Sequence, residues 1–127
     1  MVSNRIQQVA MTEHEEQVAL MKVVEMHKGR WPELGMLFAV PNGGNRNIIT
    51  ARKLKAEGVK PGVPDLFLSV ARGGYHGLYI ELKRQKKSSI SPEQVQWIAD
   101  LRAQGYRAEI CLGAAAAWEV IADYMRG

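Results

Sequence analysis

One cysteine, three histidines and no apolar run long enough to span a membrane: these shortages narrow the chain first. A lone thiol leaves nothing to pair into a disulfide framework. Cys111 lies inside an apolar, strand-like run, where cysteine behaves as a small buried side chain and not as a nucleophile. His14, His27 and His76 lack the paired spacing of metal ligands, so a zinc site is not expected. Val2–Ala10 is broken by Asn4, Arg5, Gln7 and Gln8, which fits neither a signal peptide nor a membrane span. A soluble, cytoplasmic protein without a membrane partner is expected. Pro41-Asn42-Gly43-Gly44 is not followed by Gly-Lys-Ser/Thr, which excludes a P-loop. Repeats, low-complexity tracts and interdomain linkers are also missing. What remains is one domain over residues 1–127, large enough to bury a core unaided. Residues 1–11 are expected to form a flexible lead-in.

Acidic residues are scarce in one part of the chain only. Residues 34–90 carry ten basic and three acidic groups, whereas 1–33 carry four and five, and 91–127 carry three and five. The net charge of +4 is therefore concentrated in the middle, and two of the three acids there are Asp65 and Glu81. A basic zone around an acidic pair suits a polyanionic substrate, because phosphate contacts supply most non-specific affinity. A plain solvated basic face is the competing explanation.

The local signals alternate between helix and strand. Thr12 is a candidate N-cap for a helix over 13–28, with Glu15 at the capping-box position, and Gly29, Trp31 and Pro32 end it. Residues 36–40 (MLFAV) read as a short buried strand, and 48–57 as a helix stopped by Gly58. Residues 65–70 (DLFLSV) and 77–82 (GLYIEL) read as a hairpin around Arg72-Gly73-Gly74. Arg84–Ile90 is an exposed basic loop. Ser91 caps, and Pro92 opens, a helix to about Gln104; 106–112 is a strand and 114–125 a last helix. The order αβαββαβα places the chain in the α/β class, with sheet and helices sharing one core. Trp31, Trp97 and Trp118 read as packing residues, and the six methionines as gap fillers.

Chemistry gathers at the hairpin. Asp65, after Pro64, opens one strand, while Glu81 and Lys83 close its partner and share a face, being two apart. Two carboxylates and an ammonium at one end of a hairpin suit a hard divalent cation such as Mg²⁺, with the Leu82 carbonyl as a further ligand. Such an ion activates water and neutralises phosphate charge, which suggests phosphodiester hydrolysis. Lys83 would orient or deprotonate the attacking water, or stabilise charge on the phosphate. Solubilising charges at strand ends are the bland alternative.

A third acid and a glutamine have two readings each. Glu13, Glu16 or Gln17, Leu20 and Val24 follow one helical stripe, so either glutamate can sit at the sheet rim near the cluster; otherwise they form a solvated acidic first turn. Gln94 completes a Ser-x-x-Gln capping box, or faces the cluster from the helix after Lys83.

These motifs together resemble the small, stand-alone phage or bacterial type of VRR-NUC domain, within the PD-(D/E)xK nuclease superfamily. The resemblance runs through 13–17 (EHEEQ), 38–44 (FAVPNGG), 53–65 (KLKAEGVKPGVPD), 73–83 (GGYHGLYIELK), 91–94 (SPEQ) and Gly105-Tyr106. It implies a restriction-endonuclease-like mixed sheet flanked by helices, and an endonuclease dependent on Mg²⁺ or Mn²⁺. It maps Asp65 and Glu81 onto metal ligands and Lys83 onto the catalytic lysine. A first-helix glutamate joins them, Glu16 preferred over Glu13, and Gln94 matches a glutamine that follows the Glu-x-Lys strand. It further implies a homodimer acting on branched DNA, in the manner of Holliday junction resolvases, in a bacterial or phage-infected cytoplasm. Asn42, Arg46, Arg52, Lys53, Lys55 and Lys60 would then hold one side of the nucleic acid, and Arg84, Lys86 and Lys87 another arm. A non-catalytic DNA-binding module is the alternative, and RNA remains open as a substrate. A sequence-specific restriction enzyme would need a separate recognition element, for which 127 residues leave no room.

Overall fold

The computed structural model describes residues 10–41 and 48–127. The expected lead-in over 1–11 therefore falls largely outside the described residues, as do Asn42, Gly43, Gly44 and Arg46.

Helix α1 (Glu13–Met26) starts where its cap dictates. The Thr12 hydroxyl accepts from the Glu15 N–H, and the Glu15 carboxylate accepts from the Thr12 N–H, which satisfies two otherwise orphaned donors. The chain then makes a 3₁₀ turn over Pro32–Met36, with Pro32 at its start. The sequence reading has no helix here; the turn takes up Met36 and trims the first strand, β1, to Leu37–Ala39. Helix α2 (Ile48–Ala56), strands β2 (Leu66–Leu68) and β3 (Leu78–Lys83), helix α3 (Pro92–Ala103), strand β4 (Arg107–Leu112) and helix α4 (Ala114–Arg126) follow. Helix α3 repeats the α1 start, with Ser91 as cap, Gln94 closing the box and Pro92 at the first helical position.

The strands form one mixed sheet in the order β1-β2-β3-β4. β1 and β3 flank β2 antiparallel, and β4 joins β3 in parallel, as the crossover through α3 requires. Alternation along the strands sorts the two faces. Leu66, Leu68, Leu78, Ile80 and Leu82 meet Leu20 and Val24 of α1 and Ile121 and Met125 of α4 in the main core. The opposite face packs Tyr79 and Ile110 under Ile98 and Leu101 of α3. The protein is thus an α/β sandwich with α1 and α4 on one face of the sheet and α3 on the other. The C-terminal ends of β3 and β4, the start of α1 and the loop before β2 meet at one edge.

Candidate active site

The loop before β2 is held by close packing. Gly62 has φ +86°, and a Cβ there would lie 2.6 Å from the Glu93 carbonyl carbon at the start of α3, so only glycine fits. The Trp97 indole N–H donates to the Pro61 carbonyl at 3.2 Å, and Pro64 is buried. This anchoring delivers Asp65 to the edge of the sheet. β2 pairs with β3 only as far as Leu66 opposite Ile80, so the next inward N–H of β3, that of Leu82, has no backbone partner on that side. The Asp65 carboxylate takes it, with Oδ2 accepting at 2.8 Å. A strand residue sends its N–H and C=O to the same edge, so the Leu82 carbonyl is directed toward Asp65 as well.

Glu81 lies beside this bond. It is 1 % exposed, and its Oε1 has no hydrogen-bond partner among the described residues. Lys83, two residues on and also buried, brings its Nζ within 3.9 Å of Glu81 Oε2. Burial above all, then the hydrogen bond that the protonated Glu81 carboxyl donates to Asp65 and the repulsion between the two acids, push the Glu81 carboxyl up to about 9, although Lys83 pulls the other way.

The third acid of the group is Glu13. Carboxylate oxygens of Glu13, Asp65 and Glu81 all lie within 4.8 Å of one another, with Glu13 exposed, Asp65 half-buried and Glu81 buried. Oxygens that share one octahedral Mg²⁺ at 2.0–2.1 Å stand about 3 to 4 Å apart, so a small closure of the side chains would suffice. An unpartnered buried carboxylate oxygen, two further acids and a nearby backbone carbonyl form a donor set that fits a hard divalent cation. Glu16, the preferred glutamate in the sequence reading, does not join this group. It is buried one turn deeper, where its Oε1 accepts the Ala114 N–H at 3.0 Å.

Gln94 closes the α3 capping box, its Oε1 accepting from the Ser91 N–H at 2.9 Å and its own N–H donating to Ser91 Oγ at 3.1 Å. Arg52, Lys53, Lys55, Lys60, Lys86 and Lys87 are exposed and Arg84 is half-buried, so every described member of the expected basic set keeps surface on which to meet a polyanion. Burial pushes the Cys111 thiol up to about 11, which is wrong for a nucleophile. His27 Nδ1–H donates to the Val23 carbonyl at 2.8 Å, and the ring rests on Trp118 with centroids 4.3 Å apart, a packing role. Sequence reasoning missed Gly62 and Trp97 as the supports of Asp65; the only hint was the run of Pro and Gly before it.

The sequence profile of the VRR-NUC domain matches residues 3–115. This chain belongs to the VRR-NUC domain family. A solved structure of a VRR_NUC domain protein agrees with it at a TM-score of 0.80 and 34 % identity, covering 93 % of this chain and 91 % of that one. No curated protein matches. The VRR-NUC family is a nuclease family, so the domain has a nuclease fold suited to DNA processing. Members of such families generally use divalent metals, in keeping with the acidic group at the sheet edge. Among the described residues no helix is long and apolar enough to cross a membrane.

Proposed function

We propose that this VRR-NUC domain is a structure-selective DNA endonuclease that uses Mg²⁺ or Mn²⁺ and acts on branched DNA as a homodimer. The observation that carries the reading is Glu81 Oε1, buried and without a hydrogen-bond partner among the described residues, beside Asp65 and Glu13. A protein retains an orphaned buried carboxylate oxygen at a cost, and a cation is the ligand that removes the cost.

Asp65 and Glu81, with Glu13 and the Leu82 carbonyl, would hold the ion. When bound, it supplies Lewis-acid neutralisation of the phosphate and a lower pKa for nearby water. The chain's own groups do the rest. Asp65 is fixed by the Leu82 N–H, so it contributes a pre-set oxygen. Lys83 is buried on the same face as Glu81, where its ammonium can orient the attacking water or meet the charge that grows on the phosphate. Gln94, whose Oε1 closes the α3 cap, would have only its amide NH₂ to offer a phosphate. Arg52, Lys53, Lys55 and Lys60 would hold the backbone on one side, and Arg84, Lys86 and Lys87 on the other. Contacts to phosphate position a duplex without reading bases, which favours recognition of shape. A two-fold dimer would offer two such centres to the two strands of a junction. A bacterial or phage-infected cytoplasm is the compartment proposed with it.

The test is cleavage of matched four-way, flap and linear DNA in Mg²⁺ or Mn²⁺, beside Asp65→Ala and Lys83→Ala. Metal-dependent cutting of branched DNA that both substitutions abolish is the expected result. Tight DNA binding with no cutting in either metal would sink the enzyme and leave a DNA-binding module.

A further inference from the structure

Glu16 is a buried carboxylate that the proposed chemistry does not use. It is 4 % exposed, and the partner of its Oε1 is the backbone N–H of Ala114, 98 residues away and the first residue of α4. That helix needs an outside acceptor. Gly113 stands at its N-cap position and has no side chain to offer, and no side-chain cap bond is made there. A carboxyl group at this end also complements the helix dipole.

The same turn holds the other half of the site. The Gly113 N–H donates to the Lys83 carbonyl at 2.7 Å, directly at the end of β3. Consecutive amides of the β4–α4 turn therefore grip the strand that carries Glu81 and Lys83, and the helix that carries Glu13. Glu13 is the first residue of α1 and is exposed, in the turn of a helix most prone to fray. Leu20 and Val24 fix the middle of the helix in the core, but nothing apolar fixes its first turn.

We infer that Glu16 is a positioning residue: its bond to Ala114 locks the first turn of α1 against the end of the sheet and so keeps Glu13 within the carboxylate group. The inference rests on the proposed metal site for its affinity readout but not for its structural one.

The experiment uses the full chain without DNA and compares Glu16→Ala, Glu16→Gln and Glu13→Ala. Mn²⁺ binding is measured by calorimetry, and amide exchange of Glu16, Gln17 and Ala114 by NMR. A residue that orients a ligand typically costs about 10-fold to 100-fold in metal affinity when removed. Glu16→Ala is expected to lose about tenfold or more, with faster exchange at all three amides. Glu16→Gln keeps an oxygen acceptor and is expected to stay within about threefold of the native affinity, a rescue that a direct ligand would not show. Glu13→Ala is expected to lose Mn²⁺ affinity while the Ala114 amide stays protected. Equal loss in Glu16→Gln and Glu16→Ala would overturn the inference and make Glu16 a ligand. Native affinity in a folded Glu16→Ala would overturn it too, leaving a cap with no bearing on the site. If Glu16→Ala does not fold, the affinity of Glu16→Gln decides alone. If the native protein binds no Mn²⁺, the metal reading falls by itself. The inference then stands only if Glu16→Ala, and not Glu16→Gln, loosens the α1 amides.

Discussion

A carboxyl group that is 1 % exposed and lies beside a second carboxyl does not ionise freely in neutral solution. For Glu81, ordinarily near 4.5 and here pushed up to about 9, the folded protein holds a proton that the unfolded chain has released. Between those two values the native state binds more protons than the unfolded state, so stability falls as pH rises. The metal-free protein is therefore expected to lose melting temperature steadily from about pH 5 to pH 9, followed by differential scanning fluorimetry. Glu81→Gln, which never ionises, is expected to flatten that slope. A divalent ion must displace the proton, so metal affinity is expected to rise with pH over the same window, with proton release visible by calorimetry in two buffers. Lys83 lies within 3.9 Å of Glu81, and in the proposed function its ammonium meets the charge that grows on the phosphate. Lys83→Ala is expected to lower kcat by about 10²-fold to 10³-fold, with the metal concentration for half-maximal rate changed far less.

Elements place these side chains through their ends more than their middles. Asp65 depends on the loop before β2, and that loop depends on Gly62 lying against the head of α3. Gly62→Ala meets both a positive φ and a backbone atom that cannot yield, so a loss of about 1 to 3 kcal/mol is expected in urea denaturation, together with lower activity. Ser91→Ala removes the Oγ that accepts the Gln94 N–H and is expected to cost about 1 kcal/mol. Both caps were legible beforehand, because Thr12 with Glu15 and Ser91 with Gln94 interact within a single turn. The 3₁₀ turn over Pro32–Met36 was not. A proline followed by glutamate and leucine opens several local structures equally well, and burial of Leu34 in the core decided among them.

Across the whole molecule the charge is unevenly spread, and the basic zone on α2 and the β3–α3 loop is solvent-facing. Removing one phosphate-binding lysine should lower the salt dependence of DNA affinity by about one unit in the log–log slope. Lys53→Ala with Lys55→Ala is thus expected to reduce that slope by about two and to weaken binding equally on all sequences, measured by fluorescence anisotropy. The order of α-helices and strands, both caps and the face shared by Glu81 and Lys83 were determined by the sequence, because these rest on local periodicity and on neighbours within one turn or one strand. The tertiary structure alone decided the rest. Residues 13 and 16 differ by about 60° around a helix and about 4.5 Å along it, a distinction no hydrophobic stripe encodes. Which one reaches the cluster depends on how deep α1 sits against the sheet and where α4 begins, and both are set by contacts between segments distant in the chain. For the same reason the protonation of Glu81 could not be foreseen, since it arises from burial that only the assembled core imposes.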